Sequence, residues 1–171
     1  MYSFQFDNIT QLKDFQELNV GSYLCIWYAD KIPPHVGISI NGSYYSLKVN
    51  GKDTAIPINE IVKIINKKKI CTVFVEIPIH IDCVEVERIF SRYKCAKEGE
   101  STCLSPITEL YSVNNHIDML ADLLNYFQGK QQIGQLFGLN LIPDFKGILS
   151  YNKKDIEARL KQLSEKTTRN V

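Results

Sequence analysis

His35-Val36-Gly37-Ile38-Ser39-Ile40, then Asn41-Gly42, then Ser43-Tyr44-Tyr45-Ser46-Leu47-Lys48-Val49, is the stretch from which the rest of the chain can be read. Both runs alternate apolar with small or polar residues, and Asn-Gly accepts the two positive φ angles of a type I′ turn. The stretch therefore predicts a β-hairpin. With Asn41 and Gly42 as the turn, Ile40 opposes Ser43, Ile38 opposes Tyr45, Val36 opposes Leu47 and His35 opposes Lys48. Directly opposed residues lie on one face of a sheet. His35, Gly37 and Ser39 thus share a face with Tyr44, Ser46 and Lys48.

Upstream, Asn8-Ile9-Thr10 followed by Leu12, Phe15 and Leu18 predicts a short amphipathic helix. Tyr23 to Tyr28 is aromatic, β-branched and continuous, which predicts a buried strand. Pro33 and Pro34 forbid a central strand in the loop that follows. Downstream, Asn50-Gly51-Lys52-Asp53 reads as a second turn, and Pro57 starts a helix through Ile58, Ile61, Val62 and Ile65. Lys67-Lys68-Lys69 is its solvated end, where cations favour the helix dipole. Ile70 to Ile79 predicts a buried strand with Glu76 inside it. Asp82-Cys83-Val84-Glu85 has the form of a capping box ahead of Val86, Ile89, Phe90 and Tyr93. Asp118 is placed to cap a helix carrying Leu120, Leu123, Leu124 and Phe127, ending at Gly129. Gln131 to Leu141 shows no clear period. A last helix runs from about Asn152 through Ile156, Leu160 and Leu163, fraying after Ser164. The length of 171 residues, without repeat or linker, fits one domain over residues 1–171.

Composition narrows the function classes. A formal net charge of +1 leaves no nucleic-acid footprint. The five cysteines are odd in number and scattered, with no Cys-x-x-Cys pair. Neither a complete disulfide framework nor a zinc site is indicated, and no cofactor is called for. A reducing cytoplasm fits this cysteine usage, and the first ten residues lack a signal-like apolar run. No segment approaches the roughly 20 apolar residues needed to span a bilayer.

Glu100-Ser101-Thr102-Cys103-Leu104-Ser105-Pro106-Ile107-Thr108-Glu109-Leu110-Tyr111 reads as a loop turning into a helix. Proline is tolerated only in a first turn, so the helix cannot begin much before Thr102, with Ser101 or Thr102 as N-cap. Cys103 falls where free N–H groups and the helix dipole favour an anion. It is either a reactive thiolate with a lowered pKa or a buried structural cysteine. Thiol chemistry needs a base, normally a histidine. Of the three histidines, His35 begins a strand just after a loop, where side chains are commonly presented to a cleft; His80 and His116 receive no role. Cys25 and Cys71 belong to buried strands, and Cys83 and Cys95 lie near helix ends. Trp27, Tyr28 and Tyr45 could line a groove, although strand aromatics more often belong to the core.

The motifs around His35 and Cys103 resemble the circularly permuted papain-like hydrolases, the YiiX-like branch of the NlpC-type superfamily. Gly21-Ser22 stands where that pattern has a Gly-Asp turn, and His35-Val36-Gly37-Ile38 matches its histidine strand. Ser43 to Val49 matches the second strand, Cys103 to Tyr111 the cysteine helix, and Ile142-Pro143-Asp144-Phe145 the late proline segment. The resemblance spans roughly Leu18 to Leu149. It implies an α+β fold, a permuted papain-like core in which a small antiparallel sheet packs against helices. It also implies Cys103 as nucleophile and His35 as base, attacking an amide, ester or thioester of a small-molecule, peptide or acyl substrate. The Cys103 backbone N–H would be an oxyanion donor.

One position departs from the pattern. Relatives often carry a glutamate on the second strand, where this chain has Lys48. Lysine has no acceptor and disfavours imidazolium. Three arrangements stay open: Ser46 accepts the imidazole N–H; a Cys–His dyad is oriented by a backbone carbonyl or Glu76; or hydrolysis is lost and Lys48 binds an anionic group in a non-catalytic ligand- or protein-binding module.

Overall fold

The computed structural model describes residues 1–113 and 117–170, so His116 lies outside the described residues. The hairpin forms as the Asn-Gly signal requires. Strand β4 (His35–Ile40) pairs antiparallel with β5 (Ser43–Lys48), with Ile40 opposite Ser43, Ile38 opposite Tyr45 and Gly37 opposite Ser46. Asn41 and Gly42 take φ of 46° and 80°, the pair of positive angles a type I′ turn needs.

The sheet is larger than the small one expected. It has seven strands in the order β2-β8-β7-β3-β4-β5-β6, antiparallel except for the β2–β8 pair. The additional members are β2 (Thr10–Gln11), β3 (Ser22–Trp27), β6 (Gly51–Pro57), β7 (Thr72–Glu76) and β8 (Leu136–Leu139). A separate two-stranded ribbon joins β1 (Tyr2–Gln5) to β9 (Gly147–Leu149).

Two sequence expectations fail here for physical reasons, and one unread segment takes form. The apolar residues Leu12, Phe15 and Leu18 belong to no α-helix: Thr10–Gln11 adds to the sheet edge, and Phe15–Leu18 makes one 3₁₀ turn capped by Asp14, whose side chain accepts the Gln16 N–H at 3.0 Å. Asn50-Gly51-Lys52-Asp53 is mostly strand. The chain reverses at Val49–Asn50, and Lys48 opposite Gly51 opens β6. The unpatterned segment 131–141 contributes β8, a central-to-edge strand only four residues long.

Helices cover both faces of the sheet. Helix α1 (Ile58–Lys68) buries Ile58, Ile61, Val62 and Ile65 against Tyr23, Cys25, Tyr44 and Phe74. On the other face, α2 (Cys83–Ser91), α3 (Ser105–Leu110) and α4 (Leu120–Gly129) pack on Leu24, Ile26, Val36, Ile38, Val73 and Val75. The period-2 alternation of β3, β4 and β7 sorts these two sets of side chains to opposite faces. The N-cap expected at Asp82 is present, accepting the Val84 N–H at 3.0 Å, while Glu85 pairs with Arg88. Asp118 does not cap α4; Met119 occupies that position, and the Leu120 N–H donates to the Tyr151 hydroxyl at 3.1 Å. The last helix, α5 (Lys153–Arg169), keeps its helical form through the stretch expected to fray. No helix among the described residues is long and apolar enough to cross a membrane.

Candidate active site

Cys103 sits in the turn ahead of α3, two residues before its first residue Ser105, outside the helix in which its sequence places it. The Thr102 hydroxyl accepts the Leu104 N–H at 3.2 Å, and Ser105 Oγ accepts the Thr102 N–H at 2.9 Å. These two bonds tie the turn down on both sides of the cysteine. Pro106 occupies the first turn of α3, where it costs no hydrogen bond. At the far end of α3, the Tyr111 hydroxyl bonds to Ser22 Oγ on β3, fixing the helix to the sheet.

The backbone N–H groups of Val36, Cys103 and Leu104 lie near enough to the Cys103 sulfur to favour its thiolate, but burial outweighs them and the thiol pKa is raised. This reverses the expectation of a lowered value. The turn and the neighbouring strand β4 supply donors, yet their packing also removes the sulfur from water, and the desolvation is the larger effect.

His35, the first residue of β4, lies directly opposite Trp27 of β3, with the two rings edge to face and their centroids 6.5 Å apart. Burial pushes its pKa down to about 4, with Asp53 pulling upward and Lys48 pushing further down. The imidazole is therefore neutral at pH 7. His35 shares its face with Trp27 and Tyr44, whereas Cys103 packs among the residues of the opposite face, beside Val36. The two side chains converge only at the end of the sheet, where both line one cavity of about 650 Å³. Among the described residues no hydrogen bond joins them.

The polar residues next to His35 are organised by a carboxylate that the sequence reading passed over. Asp53 on β6 lies opposite Ser46, accepting the Ser46 hydroxyl at 2.7 Å and the Lys48 ammonium at 2.8 Å. Ser46 is fully buried and is a donor to Asp53, not an acceptor for the imidazole. Lys48 is likewise engaged with Asp53. Glu76 is excluded as an orienter: it opposes Tyr23 at the far end of β3, four residues from the Trp27 that opposes His35, and its side chain accepts the Gln135 N–H at 2.8 Å. Four strand residues span about 13 Å.

Asp53 had a sequence signal. Asn50-Gly51 follows Val49 as Asn41-Gly42 follows Ile40, and a turn on those two residues would set Asp53 opposite Lys48; the chain reverses one residue earlier, at Val49–Asn50, so Asp53 opposes Ser46 instead. The lack of alternation in Lys52-Asp53-Thr54-Ala55 conceals the strand, because β6 is an edge strand with mostly solvated side chains.

The cavity walls are largely apolar. Tyr28, Ile32 and Pro33, Leu47 and Leu104, and Ile156, Leu160 and Leu163 of α5 contribute the apolar lining. Tyr151 stands beside Cys103 and was not singled out from sequence. Its pKa is raised to about 12, chiefly by burial. Among the described residues no group of three or more potential ligands could hold a metal ion. Cys25 and Cys71 are buried, and Cys83 and Cys95 are partly exposed, all without disulfides. Tyr45 is core, while Tyr28 does open on the cavity.

Compared with protein-family models, curated proteins and solved structures, the chain matches none.

Proposed function

We propose that the protein is a cysteine hydrolase or acyltransferase that cleaves an amide, ester or thioester of a small-molecule, peptide or acyl substrate. The observation that carries the reading is the sulfur of Cys103 at the wall of a cavity, with three backbone N–H groups around it and His35 lining the same space. Cys103 would add to the substrate carbonyl carbon while its proton passes to neutral His35. The leaving group then departs with that proton, and the thioester is resolved by water or another acceptor. The Cys103 N–H donates to no other group among the described residues, which leaves it free for the oxyanion. Substrate binding that excludes water and brings the imidazole across the sheet end is part of this reading, since the unliganded dyad is not hydrogen-bonded.

A second reading, a ligand-binding module without chemistry, is favoured by one specific arrangement. The carboxylate nearest His35 is committed to Lys48 and Ser46, so nothing acidic orients the imidazole.

The experiment is the pH profile of Cys103 alkylation in the intact protein, compared with His35→Ala, together with turnover of activated esters and thioesters. The hydrolase reading expects acyl-Cys103 to accumulate and its formation to fall at least about a hundredfold in His35→Ala, the usual worth of a general base. A Cys103 that titrates as an isolated buried thiol, forms no acyl adduct and ignores His35→Ala would sink it in favour of the binding module.

A further inference from the structure

We infer that α5 is a hinged lid over the Cys103 cavity, one that closes on its apolar stripe, with Arg159, Gln162 and Lys166 beside it, and opens to admit whatever the cavity takes. This inference rests on the placement of the helix and not on the catalytic reading.

Three observations carry it. First, α5 is 17 residues long and buries none of them, whereas α1, with 11, buries four. A helix normally earns its place by burying one face. The stripe of α5, Ile156, Leu160 and Leu163 at successive turns, faces the cavity instead of a packed core.

Second, every side-chain hydrogen bond of α5 among the described residues stays within the helix or its cap. Arg159 bonds Gln162, Thr167 bonds the Leu163 carbonyl, and Thr168 bonds the Ser164 carbonyl. None of its charged residues pairs with the body of the protein among the described ion pairs. Third, the root of the helix is built to hold while the shaft moves. Asn152 and Asp155 form a reciprocal capping box, Tyr151 accepts the Leu120 N–H, and the Ser150 N–H donates to the Met1 carbonyl at 3.0 Å.

An element with few buried contacts and no polar ties to its neighbours opens at low free energy. A rigid root joined to such a shaft localises that opening to a swing about residues 150–152. In the closed position the stripe shelters Cys103 and Leu104. In the open position the cavity becomes a groove between the loop at Tyr28 to Pro34 and the Cys103 turn. Closure excludes water from the thiol; opening gives access to groups too bulky for the cavity mouth.

The test uses the full-length chain and two substitutions on α5. Leu163→Asp places a charge on the cavity side, and Lys161→Asp places one on the solvent side. Hydrogen exchange followed by mass spectrometry is read over α5, α1 and the Cys103 turn. The lid expects α5 amides in the unmodified protein to exchange much faster than those of α1 yet slower than an unfolded chain. Leu163→Asp should speed exchange of α5 and of the Cys103 turn by roughly tenfold or more, because a charge replaces the apolar contact that the stripe makes with the cavity, with β3 and β7 unchanged. Lys161→Asp should leave the pattern alone. In parallel, a bulky maleimide should label Cys103 faster in Leu163→Asp, with Cys83 and Cys95 replaced by serine in every variant.

Protection of α5 equal to that of α1 would overturn the inference, because the helix would then be a fixed wall. Absence of any protection would overturn it equally, since a helix that never closes is no lid. Exchange that rises throughout the protein in Leu163→Asp would also count against it, showing α5 to be part of the global fold. None of these outcomes depends on turnover. A protein with a moving lid and an inert Cys103 would retain this inference and lose the hydrolase reading.

Discussion

Replacing Lys48 with methionine should raise the pKa of His35. The present value, about 4, reflects burial first, then the opposed pulls of Asp53 and Lys48. Lys48 Nζ lies 2.8 Å from Asp53 Oδ1, so the ammonium both repels a proton on His35 and neutralises the carboxylate that would attract one. Its removal works through both routes in one direction. Continuing the hairpin register beyond Gly37–Ser46 sets residue 48 opposite residue 35. At a charge separation of roughly 7 Å and an effective dielectric constant of about 20–40, one unit charge displaces a pKa by about 1–2 units. The His35 midpoint in Lys48→Met should therefore move toward 5–6 by about that amount, with methionine preserving most of the stem's packing. The assay is a titration of the His35 ring protons by NMR, with the circular dichroism spectrum confirming the fold. Asp53→Asn should act oppositely and depress the midpoint further. The reasoning fails if Lys48→Met leaves the midpoint where it was or lowers it, or if Asp53→Asn raises it. An unchanged midpoint would mean that the neutral imidazole owes its state to burial alone, and a shift of the opposite sign would mean that the roles assigned to Lys48 and Asp53 are wrong.

Two further outcomes follow from the same strands. The depressed His35 pKa makes the folded protein bind fewer protons than the unfolded chain between about pH 4 and 6.5, so stability rises with pH across that window and is lost on acidification through it. The loss attributable to His35 is at most about 3 kcal/mol, and His35→Gln should flatten that part of the curve when urea midpoints are compared at pH 4 and 7. Gly37→Ala should destabilise the protein by about 1–3 kcal/mol in urea denaturation, because a Cβ at residue 37 runs into the buried Tyr44 ring crossing over it from β5. An unchanged midpoint would mean that Tyr44 turns aside freely.

How far the sequence could be read depended on what each segment's side chains meet. The hairpin was legible to the residue pair, because Asn41-Gly42 fixes both turn and register and because Val36, Ile38 and Ile40 are buried on one face. Helices α1, α2 and α4 were legible for the same reason: each places a periodic apolar face on the sheet. The losses fall on segments whose neighbours are distant in sequence or solvent. β6 reads as polar because it is an edge. β8 is short, and its partners β2 and β7 are supplied by remote parts of the chain. Of the candidate site, Cys103 and His35 do line one cavity. The alternation put His35 on the Tyr44 face, but the sequence could not convey that Cys103 packs against the opposite face, or the extent of burial, which raises the thiol pKa. Asp53 was signalled only by the turn ahead of it, and its importance depends on two neighbours across a strand pair, Ser46 and Lys48. The stripe of α5 was visible as a period, but a period does not say whether the face meets a packed core or a cavity.

The ribbon of β1 and β9 binds the start of the chain to the segment just ahead of α5. Ser3 Oγ donates to the Ile148 carbonyl across 145 residues of sequence. A contact so remote pays its loop-closure entropy only after the intervening sheet has brought its ends together. On that account the clasp is expected to close after the central sheet, and α5 follows directly from it, with the Ser150 N–H donating to the Met1 carbonyl. If the clasp closes last, Cys103 is open to oxidants and electrophiles until α5 covers the cavity. Pulse labelling during refolding would catch Cys103 modified in molecules whose central strands are already protected.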